Sequence, residues 1–182
     1  MTHSIKQLLN RYGLKPQKGL GQNFLVDQGA LHKIIRAAEI RADDTILEIG
    51  PGLGSLTVML AERAARVVAV ELDAKLVAAL GEILSPFPNI ELIQADILEV
   101  NLNELFDHAG YLVVANIPYY ITSALLRQLL EAKYAPERVV LTVQKEVAER
   151  ICAAAGDLSL LALSVQVYGQ PQIAAGIPAG AF

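Results

Sequence analysis

The chain has 182 residues, of which 53% are hydrophobic and 19% charged, and its formal net charge is −4. This charge excludes a surface that is basic all over, as in proteins that coat nucleic acids, and the composition excludes disorder. The single cysteine excludes an intramolecular disulfide and fits a reducing compartment. The apolar runs are too short for a membrane span. We therefore expect a soluble, cytoplasmic protein with one main domain.

The first 18 residues are basic. They contain no acidic residue and carry five basic side chains, His3, Lys6, Arg11, Lys15 and Lys18. Such a segment is either a solvated tail or an electropositive arm beside a polyanion. We expect residues 1–18 to form a basic N-terminal arm and residues 19–182 to form the main domain.

Helical and strand-like patterns alternate after the arm. Helical apolar spacing covers residues 30–40, 56–65, 74–84, 123–133 and 145–154. Buried or partly alternating strand patterns cover residues 45–49, 67–70, 90–93, 111–115, 139–143 and 158–167. Strands separated by helix-length segments indicate right-handed crossovers and a parallel sheet covered on both faces. The predicted fold class is α/β, a doubly wound, mostly parallel, Rossmann-like sheet.

A glycine-rich turn follows the first predicted strand, with Gly50, Gly52 and Gly54 at alternate positions. Ligands of such sheets bind outside the carboxyl ends of the strands, and glycine allows the backbone to approach them closely. A dinucleotide-binding fingerprint needs its third glycine at position 55, where Ser55 stands. The spacing favours a nucleoside ligand without a pyrophosphate; a turn that only closes the packing is the alternative.

Polar side chains follow the next strands as well. Glu71 ends the second strand, 21 residues after Gly50, which is the distance at which an acid binds ribose hydroxyls in this architecture. Asp96 follows the third strand and is suited to accept a hydrogen bond from an adenine amine, with Ile97 against the ring face. An acid that stands at a strand end by chance is the alternative for Glu71.

The fourth strand is followed by Asn116, Ile117, Pro118 and Tyr119. A polar amide, a proline-stiffened turn and an aromatic ring together are suited to hold a flat base by its edge and its face. The three histidines have no metal-site spacing, so no metal is predicted. Cys152 lies in a helical pattern and is interpreted as a packing residue.

These segments together resemble the S-adenosylmethionine-dependent methyltransferases, and the Asn-Ile-Pro-Tyr sequence resembles those that methylate an exocyclic amino nitrogen. Residues 19–25, Gly-Leu-Gly-Gln-Asn-Phe-Leu, are similar to the N-terminal motif of the ribosomal RNA adenine dimethyltransferases. The match extends through residues 70–73, 94–96, 116–123 and 143–148. The glycine loop, Gly-Pro-Gly-Leu-Gly-Ser-Leu-Thr, resembles the housekeeping small-subunit branch of this family.

The resemblance implies a class I methyltransferase fold with S-adenosylmethionine as the cofactor. It implies cofactor contacts from Asn23, Leu25, Gly50, Gly52, Glu71, Asp96, Ile97 and Asn116. It implies catalytic roles for Asn116, Pro118 and Tyr119. The implied partner is small-subunit ribosomal RNA in the pre-30S particle, and we expect a monomer that uses no metal and no membrane.

The resemblance also implies the reaction: methyl transfer to adenine N6, giving N6,N6-dimethyladenosine during ribosome maturation. Three alternatives stay open, namely a large-subunit resistance methylase, a DNA adenine N6-methylase and an RNA-binding ribosome assembly factor that needs no turnover. Residues 153–157 lack the basic and aromatic residues usual there in the family. The family continues beyond the position of Phe182 into a small helical domain, so we expect this chain to be a truncated catalytic domain that binds cofactor but methylates RNA weakly.

Overall fold

The structure is a computed structural model that describes residues 24–182. The predicted basic arm and Asn23, a predicted cofactor residue, lie outside the described residues. Leu25 and all other predicted site residues lie within them.

A five-stranded sheet forms the centre of the described chain. Its strands are β1 (Thr45–Ile49), β2 (Arg66–Glu71), β3 (Ile90–Gln94), β4 (Leu112–Asn116) and β5 (Arg138–Thr142). They lie in the order β3-β2-β1-β4-β5, and each neighbouring pair is parallel. The order reverses between β1 and β4, and this is the point at which open parallel sheets leave a crevice for ligands. The predicted fold class is therefore confirmed, and these five strands lie within one residue of their predicted bounds.

Seven helices connect and cover the strands in the described chain. They are α1 (Gln28–Ala38), α2 (Ser55–Ala61), α3 (Ala74–Ile83), α4 (Leu102–Leu105), α5 (Thr122–Leu130), α6 (Lys145–Ile151) and α7 (Leu160–Gln166). Capping side chains determine where several of these helices begin. The Asp27 carboxylate accepts a hydrogen bond from the Ala30 N–H at 2.7 Å, and the Asp73 carboxylate accepts one from the Lys75 N–H at 2.9 Å. Such caps satisfy the unpaired N–H groups of a first turn.

The segment 158–167 is a helix, so its predicted assignment as a strand is wrong. The Ser159 hydroxyl accepts a hydrogen bond from the Ala162 N–H at 3.2 Å and caps α7. Ala162 and Val165, three positions apart, are the buried residues of this helix. Leu and Ala are strong helix formers, whereas the interspersed serines imitate the alternation of a strand. Among the described residues, the sheet therefore ends with β5.

The two faces of the sheet support two apolar layers. Ile46 of β1 belongs to a cluster with Leu31 of α1 and Leu60 of α2. Leu47, the next residue, belongs to a second cluster with Leu125 of α5. Successive strand side chains point to opposite faces, so the buried leucine and isoleucines of β1 serve both layers. These two apolar layers support the site that is described below.

The last residues of the chain pack against the segment that precedes α1. The backbone N–H groups of Val26 and Asp27 both donate to the carbonyl of Ala181, at 3.1 and 3.2 Å. Ala181 is buried, and the Lys33 ammonium of α1 donates to the Gly176 carbonyl at 2.9 Å. These contacts fix the chain just before α1, which forms part of the wall of the site.

Candidate active site

A cavity of about 240 Å³ lies at the carboxyl ends of β1, β2 and β4. Its walls come from the glycine turn after β1, the end of β2, the segment after β4 and the chain before α1. Seven predicted site residues line it: Leu25, Gly50, Gly52, Glu71, Asn116, Pro118 and Tyr119. The structure thus brings together residues that are widely separated in sequence, at the switch point of the sheet.

The glycine turn depends on backbone conformations that favour glycine. Gly50, Gly52 and Gly54 have φ values of +67°, +59° and +79°, a region that other residues rarely adopt. At Gly52 space is limiting as well, because a Cβ atom there would lie 3.1 Å from the Phe24 ring. At Gly50 a Cβ atom would meet nothing closer than 3.9 Å. The turn therefore brings its backbone close both to the cavity and to the Phe24 ring, which also lines the cavity.

Glu71 is held in place by the backbone around it. Its carboxylate accepts hydrogen bonds from the Gly52 N–H at 3.3 Å and from the Asp73 N–H at 2.9 Å. Only 6% of the residue is exposed, and this burial raises the pKa of Glu71, although the Asp73 and Gly52 N–H groups act in the opposite direction. Each carboxylate oxygen has a second lone pair for a further donor, so this side chain is preorganised to accept hydroxyl groups.

Glu48 is a cavity residue that the sequence interpretation missed. It lies on β1, lines the cavity and is 1% exposed. Within residues 24–182, neither its Oε2 atom nor the Thr57 hydroxyl has a hydrogen-bond partner. Burial is the main reason that the pKa of Glu48 rises to about 8; the nearby Thr57 hydroxyl, although it is outside hydrogen-bond geometry, lowers this pKa, and the charge of Glu71 raises it further. The available signal was an acidic residue inside an otherwise apolar strand.

The segment after β4 forms the opposite wall. Pro118 has φ −60° and starts a 3₁₀ turn over Tyr119–Ile121. The Thr122 hydroxyl donates to the Tyr119 carbonyl at 3.0 Å, and Ile121 is buried. Tyr119 is half-buried while Tyr120 is 64% exposed. A rigid turn thus presents two neighbouring rings at the mouth of the cavity.

Asp96 and Ile97 do not line this cavity. The Asp96 carboxylate accepts a hydrogen bond from the Leu98 N–H at 2.9 Å, and Ile97 is buried in the apolar layer under β4. The Gln128 amide of α5 donates to the Ile97 carbonyl at 2.8 Å, which fixes this turn. Cofactor contacts from Asp96 and Ile97 stay predictions.

The lining residues that were not predicted as site residues include Phe24, Leu72 and Lys75. Phe24 packs against the apolar cluster under the glycine turn. Leu72 is 51% exposed beside the buried Glu71. Phe24 and Leu72 are next to the predicted site residues Leu25 and Glu71, and Lys75 is two residues after Asp73, which caps α3. This adjacency was the only signal in the sequence.

Within the described residues, no three or more His, Cys, Asp and Glu side chains are grouped closely enough to bind a metal ion. Between residues 24 and 182, no helix has the length and apolarity needed to cross a bilayer. Cys152, in the same part of the chain, is a free thiol at the end of α6 and packs with Leu126 and Ile151. Its role as a packing residue agrees with these contacts.

Comparisons with known proteins match most of the chain. The sequence profile of the family described as ribosomal RNA adenine dimethylase matches residues 13–182. A protein of Dehalococcoides mccartyi named ribosomal RNA small subunit methyltransferase A is 52% identical over 97% of this chain and 61% of its own length. A protein of the same name from Leuconostoc citreum is 46% identical over 96% of the chain and 62% of its own length. The chain thus spans about three fifths of these relatives.

Solved structures give the same picture of the fold. A dimethyladenosine transferase from Plasmodium falciparum is 33% identical, with a TM-score of 0.71 over 80% of this chain and 52% of its own. The 23S rRNA methyltransferase ErmE is 39% identical, with a TM-score of 0.68 over 75% of this chain and 54% of its own. The predicted class I methyltransferase architecture is therefore confirmed.

Proposed function

Because the chain belongs to the ribosomal RNA adenine dimethylase family, we propose that it transfers methyl groups from S-adenosylmethionine to the N6 atoms of adenines in small-subunit ribosomal RNA. The single observation that carries this proposal is the joint cavity of the glycine turn, Glu71 and the Asn116–Tyr119 segment. The relatives named small subunit methyltransferase A support the choice of RNA. The product is N6,N6-dimethyladenosine, formed on the pre-30S particle.

The cavity has the features that a nucleoside cofactor needs. The Glu71 carboxylate accepts the ribose hydroxyls while the Gly52 and Asp73 N–H groups keep it in place. The backbone of Gly50 would hold the amino-acid end of the cofactor, because no side chain stands between this backbone and the cavity. Leu25 and Leu72 provide apolar contacts. When bound, the cofactor supplies an activated methyl group on a sulfonium.

The acceptor wall orients a poor nucleophile. The lone pair of an adenine N6 is delocalised into the ring, so geometry matters more than a strong base. The Asn116 side-chain oxygen and the Ile117 carbonyl accept the two N6 hydrogens, which directs the nitrogen lone pair toward the cofactor side of the cavity. These oxygens also stabilise the positive charge that develops on the nitrogen. The proton then leaves to solvent, and no histidine is required.

Pro118 and Tyr119 position the base. Pro118 restricts the turn that starts at the end of β4. The Tyr119 ring stacks on an adenine that is single-stranded or flipped out of its helix, a contact of about 1–3 kcal/mol. Tyr119 and Tyr120 are partly and largely accessible, and this accessibility supports a site that takes a base from a polymer.

We further propose that residues 19–182 form the catalytic unit, which acts as a monomer in the cytoplasm without a metal, and that residues 1–18 contact RNA phosphates. The similarity to the 23S rRNA methyltransferase ErmE supports one alternative substrate, large-subunit RNA. A direct assay distinguishes small-subunit RNA from large-subunit RNA as the substrate. Labelled methyl transfer is measured on immature small subunits, large-subunit RNA and duplex DNA.

We expect transfer to the immature small subunit above all. Small subunits that already carry dimethyladenosine are the matched control, because their target nitrogens have no hydrogen left to replace. Preferential transfer to large-subunit RNA would establish the alternative. Cofactor binding without transfer to any of the three would favour an assembly factor.

A further inference from the structure

The turn after β3 lies directly beside the proposed ribose-binding residue. Residues 95–100 form this turn, and the Ala95 N–H at its start donates to the Glu71 carbonyl at 3.0 Å. Glu71 lines the cavity, so a base attached to a ribose at Glu71 can extend toward this turn. Asp96 of the turn is predicted to accept a hydrogen bond from the amine of that base.

Local hydrogen bonds give the turn its shape. The Leu98 N–H donates to the Asp96 carboxylate at 2.9 Å, and the Glu99 N–H donates to the Asp96 carbonyl at 2.9 Å. The Ile97 side chain is buried in the apolar layer below. Because these hydrogen bonds join residues within the turn, the position of the turn relative to the surrounding helices depends on other contacts.

A side chain of α5 binds the turn at two points. The Gln128 side-chain amide donates to the Ile97 carbonyl at 2.8 Å and to the Val100 carbonyl at 2.9 Å. Both N–H groups of the amide are thereby used. The Gln128 Oε1 atom is buried and has no partner among residues 24–182, and such an atom costs stability. What Gln128 contributes is therefore its pair of hydrogen bonds to the turn.

The helix that carries Gln128 also supports the acceptor wall. It begins at Thr122, whose hydroxyl donates to the Tyr119 carbonyl at 3.0 Å. Its buried residues include Leu125 and Leu129, and a helix packed in this way is a rigid support. The same helix thus holds the Tyr119 turn at its start and the turn after β3 at Gln128.

We propose that Gln128 is a positioning residue for adenine recognition: its two hydrogen bonds hold the Asp96 carboxylate where it accepts the exocyclic amine of the cofactor's adenine. This inference rests on the proposed function, since it concerns the same cofactor. Gln128 does not line the cavity, so it acts through the turn and not by contact with the ligand. Without these bonds the turn loses its link to α5, and the carboxylate is no longer held in place for the amine.

Two ligands that differ in the base measure this recognition. S-adenosylhomocysteine, the demethylated product of the cofactor, carries the exocyclic amine, whereas S-inosylhomocysteine has an oxygen acceptor in its place. Calorimetry with the 182-residue chain gives the dissociation constant of each ligand. We expect the wild type to bind S-adenosylhomocysteine about 10- to 100-fold more tightly, because the oxygen of the other base has no hydrogen to donate to the Asp96 carboxylate.

Substitutions of Gln128 test whether its N–H donors maintain this selectivity. Gln128→Met keeps the length of the side chain and removes both donors. We expect it to bind S-adenosylhomocysteine about tenfold more weakly and S-inosylhomocysteine within about twofold of the wild type, so its selectivity falls about tenfold. Gln128→Lys provides N–H donors without an acceptor atom, and we expect it to keep selectivity within about threefold of the wild type.

Gln166→Met is the matched control. The Gln166 amide of α7 donates to the carbonyls of Ile151 and Ala153 at 2.9 and 3.0 Å, and none of these three residues lines the cavity. Both Met variants lose two hydrogen bonds of the same kind, so urea unfolding should show similar losses of stability. Selectivity should fall in Gln128→Met alone, and a purely structural role would not produce this difference. If Gln128→Met does not fold, Gln128→Asn, whose amide is one methylene shorter, replaces it.

The outcomes separate this inference from the proposed function. If Gln128→Met retains the wild-type selectivity, or if Gln166→Met or Gln128→Lys loses as much selectivity as Gln128→Met, Gln128 is not a positioning residue, whereas the methyltransferase assignment stands. A wild type that binds both ligands equally would also overturn this inference alone. If the wild-type chain binds neither ligand, both the assignment and this inference are wrong.

Discussion

The two walls of the cavity differ in how firmly the fold holds them. The β1–β2 wall contains Glu48 and Glu71, which are 1% and 6% exposed and lie among buried strands. The β4 wall ends in Tyr119 and Tyr120, and Tyr120 is 64% exposed. A buried wall suits a small ligand that is bound in the same way in every cycle, whereas an exposed aromatic wall suits one base of a large polymer.

The difference implies a division of labour. Substitutions on the β1–β2 wall should change cofactor affinity and stability, because its groups are buried. Substitutions on the β4 wall should change turnover and RNA affinity. A variant that affects the functions of both walls equally would contradict this division.

The largest effect is expected from Asn116→Ala on the β4 wall. Loss of an oxygen that stabilises developing charge should lower the turnover number about 100- to 1000-fold, with a much smaller change in RNA affinity. Single-turnover methyl transfer and RNA binding are the two measurements. Asn103→Ala, at an exposed position of α4, is the control. Equal losses of methyl transfer and of RNA affinity would show that this wall only binds RNA and does not contribute to the chemical step.

Glu48→Gln should change how stability depends on pH. An unfolded glutamate ionises near pH 4.5, whereas burial raises the pKa of Glu48 to about 8. Between these values the folded state holds the extra proton, so its stabilising contribution is complete below pH 4.5 and is lost as the pH rises to 8. The wild type should lose about 2–4 kcal/mol of unfolding free energy from pH 5 to pH 8 relative to the variant.

Urea unfolding at pH 5, 6.5 and 8 measures this difference. Glu71 remains in both proteins, and burial raises its pKa too, so subtraction of the two curves gives the contribution of Glu48 together with its charge coupling to Glu71. Glu146→Gln, at an exposed position of α6, should retain the wild-type slope. Parallel curves for the wild type and Glu48→Gln would show that Glu48 is ionised in the folded protein.

Glu71→Ala should weaken cofactor binding by about 1–3 kcal/mol, because the ribose hydroxyls lose a charged acceptor. Calorimetry with S-adenosylhomocysteine measures the change, and Glu62→Ala, at an exposed position after α2, serves for comparison. RNA affinity should not change. An unchanged cofactor affinity would remove Glu71 from the cofactor site.

The smallest effect is expected from Tyr119→Phe. The ring provides the stacking, so this variant should retain turnover within about twofold, whereas Tyr119→Ala should lose about 1–3 kcal/mol of substrate binding. Steady-state methyl transfer at several RNA concentrations distinguishes the two variants. A Phe variant as impaired as the Ala variant would assign the role to the hydroxyl group.

Much of the sheet could be predicted because buried parallel strands are continuous apolar runs. The run Val67–Val70 is such a strand, and its position fixed the interpretation of Glu71 at its end. The helix at residues 160–166 was mistaken for a strand, because Ser159 and Ser164 interrupt its leucines at spacings that mimic alternation.

The site was predictable to the extent that strand ends meet at one edge of a parallel sheet. This rule brought Gly50, Glu71 and Asn116 together. It could not reveal Glu48, which precedes the end of its strand; the signal for Glu48 was instead an acidic residue within an otherwise apolar run. It also could not reveal the position of Phe24 over Gly52, since that contact depends on how a distant segment returns to the glycine turn.

The hydrogen bonds from Val26 and Asp27 to Ala181 have a consequence for the order of folding. They join residues near opposite ends of the chain, so their formation closes a very long loop, which is entropically unfavourable until the intervening structure exists. Sheet formation should therefore precede completion of the cavity wall that carries Phe24 and Leu25. During refolding, far-ultraviolet circular dichroism should recover before the ability to bind S-adenosylhomocysteine, and Ala181→Asp should widen the interval between the two.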